Sequence, residues 1–161
     1  MGQSPPINHG WPRMTEAELS VFSPEEQAVL RQAENDIIVP SKLQLEDLNT
    51  NCDIKPQYAK TYRVLRRDKR KTLEKMRAQL NAVQSSESDA FLLATMRIYD
   101  QVISHKLELM AAFFRRRWDD DIESWAGKEG SGLDRSGCIL VVLGFLTFSS
   151  ALAVTLLALA G

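Results

Sequence analysis

Two long stretches of the chain repeat apolar residues at three- and four-residue steps. In the first, Gln57 to about Gln84, Tyr58, Tyr62, Leu65, Leu73, Met76, Leu80 and Val83 share one stripe. That spacing is one face of an α-helix. Lys69 stands where the stripe needs an apolar residue. The polar run Ser85, Ser86, Glu87 and Ser88 breaks the pattern. Asp89 then caps a second predicted helix that runs to about Trp125. Leu92, Met96, Tyr99, Ile103, Met110 and Phe113 line one face of it, and Ile98, Val102, Leu109 and Phe114 widen that face. So broad a face has to pack against more than one neighbour. Two amphipathic helices, about 57–84 and 89–125, joined by a short link predict an all-α antiparallel hairpin.

Shorter helices precede it. Thr15 and Glu18 have the spacing of a capping box, so a short helical turn should start there. Ser23 followed by Pro24, Glu25 and Glu26 is a strong helix start: proline needs no partner in the first turn, and carboxylates suit the positive end of the dipole. This helix is expected to run to about Asn35. Ile37, Ile38 and Val39 then lead into Pro40, which reads as a brief extended link or docking segment. A weaker turn from Ser41 would carry Leu43, Leu45 and Leu48 and end in the polar cluster of residues 49–53. Residues 1–14, with three prolines, read as a disordered leader before a helical cytosolic domain over 15–126.

The pattern changes again at the end. Residues 127–137 contain four glycines and read as a flexible tether. From Cys138 to Ala160 there are 23 residues without a charge, 18 of them hydrophobic. As a helix they would reach roughly 34 Å, enough for a hydrocarbon core of about 30 Å. The expectation is a single C-terminal transmembrane helix, inserted after translation, as in a tail-anchored protein. Lys128 and Arg135 precede it, so the N-terminus should be cytosolic. ER or secretory membranes are favoured, with the mitochondrial outer membrane and a bacterial inner membrane as alternatives. Gly137, Gly144, Ala151 and Ala158 recur every seven positions and would let a second membrane helix approach, as in a homo-oligomer. Cys138, at the edge of the span, is open to S-palmitoylation. A lipid-anchor signal at residues 130–132 lacks the leader peptide it requires, and Pro6 stands where N-myristoylation wants Ser or Thr.

Composition sharpens this picture. The 161 residues carry 20 basic and 21 acidic groups and are 44% hydrophobic, roughly 38% once the last apolar block is set aside. The near-neutral total is a cancellation: residues 1–56 carry −5, 57–83 carry +7 and 84–126 carry −3. Charge asymmetry of this kind concerns partners or internal docking. Two cysteines, Cys52 and Cys138, are too few for a disulfide scaffold.

The basic block is the main chemical feature: Lys60, Arg63, Arg66, Arg67, Lys69, Arg70, Lys71, Lys75 and Arg77 are opposed only by Asp68 and Glu74. Three uses compete: contact with anionic lipid headgroups, capture of an acidic protein or nucleic acid, and a plain solvated face. RRDKRK also has the look of a nuclear-localisation patch. His105 with Glu108 has a metal-ligand spacing but no further ligands, and Asp119, Asp120 and Asp121 have Arg115, Arg116 and Arg117 as counterions. No hydrolase elbow, phosphate loop, CxxC or HExxH motif occurs, so no catalytic residue, metal or cofactor is expected. The plan resembles that of a SNARE, a cytosolic helical region before a C-terminal anchor, but residues 85–88, the Gly-rich tether and the RRRWDDD run interrupt the heptads such a protein needs. The expected function is a non-enzymatic, tail-anchored docking, adaptor or regulatory module. It would have the lipid bilayer and a protein as partners.

Overall fold

The computed structural model describes residues 10–82 and 86–126, and these form five helices. α1 is Glu16–Leu19, α2 Pro24–Asn51, α3 Lys55–Ala82, α4 Ser86–Trp118 and α5 Ile122–Ala126. The all-α class of the sequence reading is present. Three long helices build it rather than two.

The expected capping box closes, and the helix start at Ser23 forms a second one. The Thr15 amide donates to the Glu18 carboxylate at 2.8 Å, and the Glu18 amide donates to Thr15 Oγ1 at 3.3 Å. Ser23 and Glu26 make the same reciprocal pair at 2.9 and 3.3 Å. Each box satisfies donors that a helix start otherwise leaves open.

The helix begun at Pro24 does not stop near Asn35. It continues through Pro40 to Asn51. An interior proline removes one helical hydrogen bond and costs about 3 kcal/mol. Here both Pro40 and Asp36, four residues before it, are exposed, so water can reach the carbonyl left over. On the other side Ile37, Ile38, Ser41, Leu45 and Leu48 are all buried. Burying each large aliphatic side chain contributes roughly 1.5–3 kcal/mol, enough to offset the local penalty. Burial overrides the proline, and the separate extended link and third turn are replaced by one helix.

α4 is the central element, with α2 on one side and α3 on the other. Contacts fix the directions. Lys106 of α4 reaches Gln44 of α2, and Arg117 reaches Asn49 and Asp53, so α2 and α4 run parallel. Lys55 meets Asp120 and Lys69 meets Ser104, so α3 runs against α4. The core joins Leu30, Ile38 and Leu45 of α2, Tyr58, Tyr62 and Leu65 of α3, and Val102, Ile103, Met110 and Phe114 of α4. Tyr58 stacks on Phe113 at 5.6 Å and meets Trp118 edge-on at 5.3 Å.

The last long helix ends earlier than its apolar period suggests. It stops at Trp118, and Asp119 takes a left-handed φ of 50°. Aspartate tolerates that region better than most residues. The reversal lets α5 return against α3 and α4, with Ile122 fully buried.

Part of the segment read as a leader is packed. Met14 is buried, and Trp11 meets the His105 ring edge-on at 5.3 Å. The Met14 amide donates to Glu34, which is fully buried and also receives Arg31 at 3.1 Å and Arg13 at 3.4 Å. The chain before α1 is thus strapped to α2 through Glu34, and also through Arg31 on the Met14 carbonyl at 2.9 Å and Arg13 on Asn35 at 2.8 Å.

The membrane reading requires correction. Among the described residues, no helix is long and apolar enough to cross a membrane. The most apolar faces, those of α2 and α4, are consumed in the helical core. The single transmembrane helix, the integral single-pass placement and the bilayer as partner therefore find no support in the fold. The tether over 127–137, the segment 138–160, the Gly137, Gly144, Ala151 and Ala158 stripe and Cys138 lie outside the described residues.

Candidate anion-binding face

α3 is strongly amphipathic because its sequence alternates core residues with cations on a helical period. Tyr58, Ala59, Tyr62, Leu65 and Met76 are buried. Tyr58 donates to Asn49 Oδ1 at 2.7 Å, and burial pushes its phenol well above the ordinary range. Tyr62 donates to Glu123 at 2.6 Å, and burial together with that bond raises its pKa to about 12. These contacts hold the inner side of α3 against α2, α4 and α5 and so fix which residues point out.

The nine cations of the tract divide by what they meet. Lys69, the break in the apolar stripe, turns into the seam with α4. Its amine lies 2.6 Å from Ser104 Oγ and 2.7 Å from Asp100. Arg66 pairs with Glu123. Arg67 meets Asp68 at 3.2 Å, and Arg70 meets Glu74 at 3.8 Å. The Arg63 side chain is half-buried, and its Nε has no hydrogen-bond partner among the described residues. Lys60, Lys71, Lys75 and Arg77 are exposed and meet no carboxylate among the described residues. Lys71 and Lys75 lie one turn apart, about 6 Å along the axis. Lys60, Lys71 and Lys75 share a cationic face roughly 22 Å long, and Arg77 is turned about 100° to one side of it.

Other predicted chemistry is resolved differently. His105 Nδ1 is 3.9 Å from Glu108, and Nε2 is buried without a partner among the described residues. No group of three metal-ligating side chains occurs among the described residues. A cleft of about 470 Å³ beside His105 is lined by Arg13, Glu18, Arg97, Asp100 and Glu108. Its charges are largely spoken for: Arg97 pairs with Glu18, and Asp100 with Lys69.

The aspartate tract and the arginine tract do not neutralise each other as expected. Arg117 pairs with Asp53, and Arg116 lies 5.7 Å from the centre of the Phe113 ring. Asp120 receives Lys55 and the Trp125 indole N–H, the latter at 2.6 Å. The Lys55 hydrogen bond, then that of Trp125, holds the Asp120 carboxyl at about 2. Lys55 also sits 4.6 Å from the Trp125 ring centre. This knot ties α5 to the start of α3 and keeps Glu123 under Arg66.

Sequence reasoning missed three features. Glu34 reads as an ordinary surface acid, because its partners lie 20 and 21 positions away at Met14 and Arg13. Lys106 is 3% exposed in the seam of α2 and α4, where burial lowers its pKa to about 8. The outward face of α2 carries Asp36, Glu46 and Asp47 around exposed Val39 and Leu43. The −5 charge of residues 1–56 signalled that acidic excess without showing that it gathers on one face.

No protein-family model, curated protein or solved structure matches the chain.

Proposed function

We propose that this helical domain is a binding module that receives an acidic protein segment along the outward face of α3. One observation carries the reading: Lys60, Lys71, Lys75 and Arg77 are exposed with no carboxylate partner among the described residues, while the other cations of the tract are mostly used internally. An acidic helix with carboxylates one turn apart repeats every 6 Å or so, which suits Lys71 and Lys75.

An acidic protein suits this face better than nucleic acid. The aromatic residues of α3, Tyr58 and Tyr62, are buried, so no ring is offered for base stacking. The cationic face is one helix wide on a chain of net charge −1, and an extended polyanion would also meet the acids of α2.

The test is fluorescence anisotropy with a labelled, Glu-rich helical peptide. Charge reversal at Lys60, Lys71 and Lys75 to Glu should weaken binding about tenfold or more, and added salt should weaken the wild type. Unchanged affinity in the reversed variant would reduce the tract to a solvated face. Tighter binding of a DNA or RNA oligonucleotide at the same salt would replace the acidic protein with nucleic acid.

A further inference from the structure

The outward faces of α2 and α3 are complementary in charge; on α2, Asp36 and Asp47 accept only from the neighbouring side-chain amides of Gln32 and Asn51 among the described residues. On α2, Asp36, Glu46 and Asp47 are exposed without a basic partner among the described residues. Between them stand Val39, 52% exposed, and Leu43, 62% exposed, one helical turn apart. On α3 stand Lys60, Lys71, Lys75 and Arg77, also without a carboxylate. Long lysine and arginine stems can cover an apolar step while their charges reach flanking acids.

One copy cannot make this match with itself. α2 and α3 both pack on α4 from different sides, and their charged faces are those turned away from it. We infer that the occupant of the α3 face is the α2 face of a second copy of this chain. This rests on the reading of α3 as a docking face for an acidic helix and names that helix. Because the two surfaces differ, the contact is head-to-tail and can repeat from copy to copy. Two single-helix faces bury less than the roughly 1,200 Å² of a stable complex. Association should therefore be weak, concentration-dependent and lost in high salt.

Sedimentation velocity of the full chain tests this with two charge-reversed variants. One carries Asp36→Lys, Glu46→Lys and Asp47→Lys; the other carries Lys60→Glu, Lys71→Glu and Lys75→Glu. Wild type should grow in mean size with concentration at low salt, and each variant alone should not. Mixing the two variants should restore association, because each then meets an opposite charge. A wild type that stays monomeric at low salt overturns the inference. So does association that neither salt nor either reversal alters, as contact through the apolar 138–160 segment would give. The Glu-rich peptide separates the two readings. If wild type binds the peptide through α3 but does not self-associate, the acidic-helix site stands and the second copy as its occupant fails. If it does neither, both fail.

Discussion

α4 makes two seams, and they handle charge in opposite ways. Against α3, the lysine that interrupts the apolar stripe turns into the seam with its side chain 19% exposed, but its partner keeps its water. Lys69 reaches Asp100, whose side chain is half-exposed, and Ser104. Against α2, charge goes inside. Glu34 is fully buried under the N-terminal strap, and Lys106 is buried against Gln44. An ion pair with one well-exposed partner gives up less hydration than a fully buried charge, so removing it changes less. A buried charge has lost its hydration and must be replaced by partners or held at a cost. The α2 side should therefore dominate stability and its pH dependence, while the α3 side remains free to answer to salt and to partners.

The sharpest way to break this contrast is Glu34→Ala. That one carboxylate accepts from the Met14 amide, Arg13 and Arg31. Its loss strands a buried amide and loosens the strap, which keeps only Arg31 on the Met14 carbonyl, Arg13 on Asn35 and Trp11 on His105 among the described contacts. The expected cost is about 3 kcal/mol in urea unfolding, at the lower end for a broken buried pair because both arginines can reach solvent. Glu34→Gln keeps one acceptor and should cost about half as much. A loss near zero for both would mean that the strap contributes nothing to the fold.

Lys106 sharpens the contrast with the opposite sign. Its folded pKa of about 8 lies below the ordinary 10.5 because burial disfavours the charged amine. Below pH 8 the amine is protonated in both states, and the native state carries the whole penalty. Between pH 8 and 10.5 the native state sheds the proton while the unfolded chain keeps it, so stability should rise with pH. Above pH 10 the trend reverses, because burial raises Tyr58, Tyr62 and Tyr99 in the native state and only the unfolded chain ionises them there. Urea unfolding should show a gain on the order of 2 kcal/mol between pH 7 and 10. Lys106→Met should be more stable than wild type at pH 7 by a similar amount and should lose the rise. Parallel pH profiles in the two proteins would contradict the burial of this amine.

The same division explains what was legible in the sequence. Both capping boxes involve residues three apart, and the Thr15–Glu18 box and the helix start at Ser23 are legible in the sequence. The stripe of α3 was readable because its period is local. Pro40 misled because the local rule lost to burial of Ile37, Ile38 and Leu45 on a helix more than 50 residues away. The end of α4 was missed because Asp119 to Trp125 carry apolar residues at spacings that also fit a continuing helix. The cationic tract was evident as a tract. Which of its members are unpaired depends on Asp100, Ser104 and Glu123, all on other helices. Glu34 and Lys106 were illegible for the same reason, since nothing in their neighbouring residues marks them as buried.

Lys69→Met is the smallest test, and it bears on the α3 side alone. Methionine keeps the packing of the lysine stem on α4 and gives up the contacts with Asp100 and Ser104. Asp100 can turn to water because its side chain is 49% exposed. The expected change is under about 1 kcal/mol in urea unfolding. A loss as large as that of Glu34→Ala would place a buried charge in both seams and erase the distinction between them. A small loss, together with the pH response of Lys106, would establish that α4 carries its buried charges toward α2 and leaves α3 to present its cations outward.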